Sequence, residues 1–262
     1  MKVYISVDIE GVAGITHWDE AEIGKPGYEA FREQMTAEAT AACEGALAAG
    51  ASEVVVKDAH WTGRNILPER LPEPVRLIRG WSGHPLFMVQ DLDASFDALA
   101  MVGYHSAAGD GGNPLAHTMS GEESKILVNG ELMSEFAFHS YAAAELGVPS
   151  VFLSGDQNLC DTATASNPAI HTVATKSGAG ASTTSIHPAL AARNIREGME
   201  AALGDEAPPA LAGAFELELW YKKNEDAYKA SFYPGARLDA PHCVCFHTDS
   251  FFEIMRMLQF VL

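Results

Sequence analysis

The chain has 262 residues, enough for one large domain or a domain with a smaller partner, and its hydrophobic fraction of 47% is ordinary for a globular enzyme. Its 35 acidic residues outnumber 17 basic ones, for a formal net charge of −18. That balance excludes the basic stripe a nucleic-acid binder needs and repels anionic lipid, while it suits metal ions and ammonium groups.

Residues 2–7 form a buried-strand pattern, with neither the long apolar region nor the cleavage site of a signal peptide. An alanine-rich helix is predicted over 28–49 and stops at Gly50. Strands follow at 53–58 and 99–104, then a glycine-rich loop at 108–114. A short strand at 125–129 turns at Asn129-Gly130 into a helix over 134–146. A strand at 150–154 ends in Ser154-Gly155-Asp156, and another at 171–176 leads into a small-residue stretch, Ser177 to Ser185. His187-Pro188 opens a helix to about Leu203, Asp205 to Pro209 reads as a linker, and strands at 215–221 and 241–247 precede a closing helix over 249–262.

This alternation predicts an α/β fold, a mostly parallel sheet flanked by helices. Residues 205–262 form either a subsidiary C-terminal α+β lobe or part of the same domain as residues 1–204. No apolar stretch is long enough to span a membrane. Cys43, Cys160, Cys243 and Cys245 read as reduced thiols, which points to a cytoplasmic protein.

Three apolar strands end in metal-binding side chains: Asp8-Ile9-Glu10, Asp58-Ala59-His60 and Gly103-Tyr104-His105. Ligands of open α/β sheets sit at the carboxyl ends of strands, and neighbouring strands lie roughly 4.8 Å apart, so the three ends can serve one site. Asp8 and Glu10 share a side if the strand continues through them. Glu135, near a helix start, adds a further oxygen donor. Two imidazoles with three carboxylates suit zinc, with manganese and cobalt as competitors, and five ligands point to two ions sharing a carboxylate. Taken singly, each histidine reads equally as a hydrogen-bonded core residue, and Glu135 as a favourable charge in a first helical turn.

Ser6-Val7-Asp8-Ile9-Glu10-Gly11 resembles the opening of the DppA-type D-aminopeptidases, peptidase family M55. Asp58-Ala59-His60, Gly103-Tyr104-His105, His117-Thr118-Met119 and Ser134-Glu135 follow in that family's order, with the likeness weakening after Ala202. The resemblance implies a metal-binding catalytic domain over residues 1–204, with two zinc ions per subunit on Asp8, Glu10, His60, His105 and Glu135, Asp8 bridging. It implies His117 as the catalytic nucleophile or proton-transfer group. The expected substrates are small peptides or amino-acid amides losing an amino-terminal D-residue, and the expected assembly is a ring-like homo-oligomer, with a decameric ring as one form that the resemblance admits.

Asp58 reads either as an acceptor orienting an imidazole or as a solvated carboxylate, and Asp156 as a partner of the substrate ammonium or of a ligand. His17, His84, His139, His171, His187, His242 and His247 read as structural or surface residues. Ser154-Gly155-Asp156 and Asp110 to Asn113 leave a dinuclear metallophosphoesterase as an alternative, and a non-catalytic metal- or peptide-binding protein is another.

Overall fold

The computed structural model describes residues 1–204 and 213–262, so the linker expected at 205–209 lies outside the described residues. The chain forms β1 (Lys2–Val7), α1 (Trp18–Ala21), α2 (Tyr28–Ala48), β2 (Glu53–Asp58), β3 (Val75–Ile78), β4 (Ala98–Tyr104), β5 (Glu123–Val128), β6 (Glu131–Leu132) and α3 (Glu135–Glu145). It continues through β7 (Ser150–Asp156), α4 (Gln157–Ser166), β8 (His171–Ala179), β9 (Ser182–Ser185) and α5 (Pro188–Ala202). After the undescribed segment come β10 (Phe215–Tyr221), α6 (Asn224–Ala230), β11 (Arg237–Ala240), β12 (Cys243–Thr248) and α7 (Phe251–Val261).

A seven-stranded sheet runs in the order β3-β2-β1-β4-β7-β8-β9, parallel except for the β8–β9 hairpin. An antiparallel five-stranded sheet, β11-β12-β10-β5-β6, joins chain from both sides of residue 204. Both faces of the parallel sheet are covered, which is why its central strands are near-continuous apolar runs. Val3, Ile5 and Val7 pack with α2 and α5, whereas Tyr4, Leu99 and Met101 face a second core shared with α3, α7 and the antiparallel sheet.

Several elements exceed the sequence prediction. The strand expected to end at 154 continues through Asp156, and the small-residue stretch completes β8 and forms β9, where backbone pairing suffices. Helix α4, Gln-Asn-Leu-Cys-Asp-Thr-Ala-Thr-Ala-Ser, has little apolar periodicity; the Asp156 carboxylate caps it by accepting from Leu159 N at 2.9 Å. Helix α7 buries Phe251, Ile254, Met255, Met257 and Leu258 in its own core, so the apolar closing segment is largely spent within the chain. Glu145, the last residue of α3, accepts from the amides of Phe251 and Phe252 and so neutralises the amino end of α7. All four cysteines are buried free thiols. No helix among the described residues is long and apolar enough to cross a membrane.

The ends of β1 and β4 approach unusually closely. After Val7 the chain turns across β4, with Asp8 N donating to Val102 O at 2.8 Å and Gly11 N to Gly103 O at 2.7 Å. A Cβ on Gly11 would overlap the Tyr104 carbonyl, and Gly103 has φ +73 with no room beside Asp8 O. Gly11→Ala should therefore cost more than about 4 kcal/mol in denaturant unfolding or abolish folding, whereas Gly111→Ala, with nothing within 4 Å of its Cβ, should stay within about 0.5 kcal/mol.

Candidate metal centre

Strands β2, β1 and β4 are adjacent and parallel, and the residues just past their carboxyl ends converge. His60 Nδ1 lies 3.2 Å from Asp8 Oδ1 and 3.1 Å from Glu10 Oε2. His105 Nε2 lies 3.5 Å from Asp8 Oδ2 and 3.4 Å from Glu135 Oε2. Glu135 reaches the cluster from the first position of α3, which Ser134 caps by accepting from Ala137 N. All five side chains are buried. Asp8 and Glu10 do share a side, although β1 stops at Val7 and a turn, not strand pleating, aims them.

His117 is brought to the edge of the same cluster. Its ring stacks on His105 with centroids 4.4 Å apart, Nε2 is 3.5 Å from Glu135 Oε1, and Trp18 packs edge-on against it. Unlike the five, it is only partly buried.

The outward nitrogen of each imidazole meets a backbone carbonyl: His60 Nε2 with Ala21 O at 2.8 Å, His105 Nδ1 with Ser106 O at 2.9 Å, His117 Nδ1 with Leu115 O at 3.0 Å. A carbonyl only accepts, so the outward nitrogen carries the proton and the inward one of a neutral ring presents a lone pair. Those lone pairs face carboxylate oxygens. Acceptor confronts acceptor, and Glu10 Oε2 and His105 Nε2 have no hydrogen-bond partner despite burial. Only a proton or a metal cation reconciles such a set, and the mixed nitrogen–oxygen donors fit zinc.

Without metal, protons fill that role. Burial, reinforced by the Glu10 charge, pushes Asp8 well above the carboxylate range. Burial drives Glu10 and Glu135 up as well, but the imidazoles prevail: His60 foremost holds Glu10 well below its usual range, and His105 foremost draws Glu135 to about 2. Burial pulls the imidazoles down, yet Glu10 leads in holding His60 well above its ordinary value and Glu135 in raising His105 to about 10.

The supporting residues act through the backbone. Asp58 is fully buried and touches no imidazole; it accepts from the amides of Asn65 and Ile66 and from Asn65 Nδ2, which also grips His60 O at 2.7 Å. Neither expectation for it holds in direct form. Asp156, also buried, accepts from Ser106 N and Oγ, Asn113 Nδ2 and Leu159 N, so its carboxylate supports the His105 loop and is fully occupied. His139 meets the Glu135 carbonyl at 2.6 Å, and burial lowers it to about 4. Lys176 does not stand out in the sequence, yet its buried ammonium donates to Glu10 O and Ile15 O and is lowered by burial to about 8. Its only signal was a charge inside a strand between two cores.

Asp8, Glu10, His60, Glu135 and His117 open onto one cavity of about 600 Å³, a size suited to a small ligand. A family model described as Peptidase M55, D-aminopeptidase, matches residues 1–260. The chain belongs to peptidase family M55. The match continues well past Ala202, where the sequence likeness was expected to fade. A D-aminopeptidase of Bacillus subtilis strain 168 is 32% identical over 198 residues, 75% of this chain and 72% of its own. The solved structure of the Zn-dependent D-aminopeptidase DppA from Bacillus subtilis, described as a self-compartmentalizing protease, matches with TM-score 0.93 at 27% identity, covering 100% of this chain and 96% of that one.

Because Asp156 satisfies four donors at once, Asp156→Ala should destabilise this M55 chain by about 3–5 kcal/mol in equilibrium unfolding. A loss below about 1 kcal/mol would show that water replaces those bonds.

Proposed function

We propose that this M55 protein is a zinc-dependent aminopeptidase that releases amino-terminal residues, of D-configuration by the family's description, from small peptides or amino-acid amides. The observation that carries the reading is the confrontation of imidazole lone pairs with buried carboxylates, which calls for cations among them. Asp8, Glu10, His60, His105 and Glu135 would hold two zinc ions. Asp8 would bridge them, since it turns one oxygen toward each histidine. Zinc in such a site polarises a scissile carbonyl and activates water near neutral pH.

The chain's own groups supply the remaining steps. The carboxylates attract the substrate's free ammonium. His117, with one nitrogen held by Leu115 O and the other toward the cavity, would attack the carbonyl or take a proton and return it to the leaving amine. A second reading has a specific basis: donor atoms of His105, His117 and Glu135 lie within 4.8 Å of one another, so His117 could instead be a ligand. Phosphoester hydrolysis is not favoured, because no Lys or Arg is among the described cavity-lining residues and Asp156 is occupied. The self-compartmentalizing relative supports a homo-oligomer, and a decameric ring is the form this reading adopts.

Metal-free protein near pH 7 should bind about two zinc equivalents per chain. Because His60 and His105 titrate above their ordinary values, binding should release protons and weaken as pH falls. Calorimetry in buffers of different ionisation enthalpy checks this; zinc uptake without proton release would show that the inward nitrogens carry no proton in the metal-free cluster, against the raised values of His60 and His105. His117→Ala should cut turnover of D-amino-acid amides roughly 10²–10⁴-fold with zinc content unchanged, whereas loss of zinc would make His117 a ligand. Light scattering should give a mass above the 28.0 kDa of one chain at all working concentrations.

A further inference from the structure

Beside the carboxylates the cavity wall is aromatic and apolar, formed by Trp61, Trp81, Phe87, Met88, Leu258 and Leu262. Trp61 follows the candidate ligand His60 directly and is 53% exposed; Trp81 is 42% exposed. Such exposure is unusual for the largest apolar side chain. Trp61, Phe87 and Met119 have φ of 43, 43 and 67, three of only five described non-glycine residues with positive φ, and all three line this cavity. Strained backbone concentrated around one cavity marks a surface held in place for a ligand.

The wall is also braced. Trp81 Nε1 donates to Trp61 O at 2.6 Å, and the Lys57 ammonium lies 4.0 Å from the Trp81 ring centre. Lys57 is itself fixed by donating to Asp58 O and Gly80 O, both at 2.7 Å. With no Lys or Arg among the described lining residues and Asp8, Glu10, Glu22 and Glu135 in the same cavity, no cationic side chain here would hold a substrate carboxylate. The ammonium belongs to the carboxylates, so the group left to meet the aromatic wall is the side chain beside the scissile amide.

We propose that Trp61, Trp81 and Phe87 form the subsite for the amino-terminal side chain and select large apolar residues, aromatic ones above all, over alanine-sized ones. This specificity rests on the aminopeptidase reading, and its test must separate the two. Zinc-loaded protein should hydrolyse phenylalanine amide with a kcat/KM at least about 10-fold above alanine amide, measured in the D and, separately, the L series. Trp61→Ala should lower the phenylalanine-amide value about 3–10-fold more than the alanine-amide value, mainly through KM, while Trp61→Phe restores most of the loss.

Tryptophan fluorescence titrations with phenylalaninol and alaninol read the wall without turnover. Phenylalaninol should bind more tightly, and Trp61→Ala should narrow the difference. That preference without hydrolysis of any amide would sink the aminopeptidase reading and keep the subsite. Equal or better use of alanine amide, or a ratio unmoved by Trp61→Ala, would overturn the subsite. So would a Trp61→Ala protein that loses its oligomeric mass with the ratio intact, since the wall would then be a contact between copies.

Discussion

Asp8, Glu10 and Glu135 are buried side by side at the floor of the cavity, and positive charge among them is the condition on which the middle of this fold rests. Removing an ion from water costs several kcal/mol even after the protein relaxes, and three like charges compound it. The imidazoles of His60 and His105 answer that cost only when something positive occupies their inward nitrogens. Fold and chemistry therefore have a common requirement.

The scaffold keeps these charges in place through contacts to the neighbouring loops. Asp58, Asp156 and Lys176 are buried charged groups around the centre, and each works mainly on backbone: amides after Asp58, the Ser106 amide after His105, the Glu10 carbonyl. Loops that would otherwise be soft are thus tied at the residues next to the ligands. The glycine-mediated approach of the β1 and β4 ends does the same sterically, bringing Asp8 and His105 near enough to face one another.

Much of this is legible in the sequence because a parallel strand buried on both faces is an unbroken apolar run, and a ligand at its end breaks the run visibly. Val54-Val55-Val56 followed by Asp58 and His60 is such a signal. The parallel sheet, its helices and the convergence of Asp8, His60 and His105 follow from it. Elements held by tertiary contacts leave weaker marks. Helix α4 depends on a carboxylate cap, β9 on a neighbour's backbone, and β3 is a four-residue edge strand. Asp58 and Asp156 read as carboxylates with something to bind, and it takes coordinates to show that amides already occupy them. His117 reads as a loop residue apart from the metals, whereas its stacking on His105 depends on the path of the whole 106–117 segment. The tryptophan wall is assembled from separate loop positions, for which no periodicity exists.

The cavity's composition has a consequence for when it can exist. Asp8 on its floor and Leu258 in its wall come from opposite ends of the described chain, and α7 carries the latter. During synthesis from the amino end, the ligand-bearing strands emerge long before the helix that closes the cleft, and contacts of such wide sequence separation are the slowest to form. A chain still lacking α7 has no Leu258 or Leu262 to bound the cleft, and so lacks the confined, partly apolar space that would hold a peptide against the ligands.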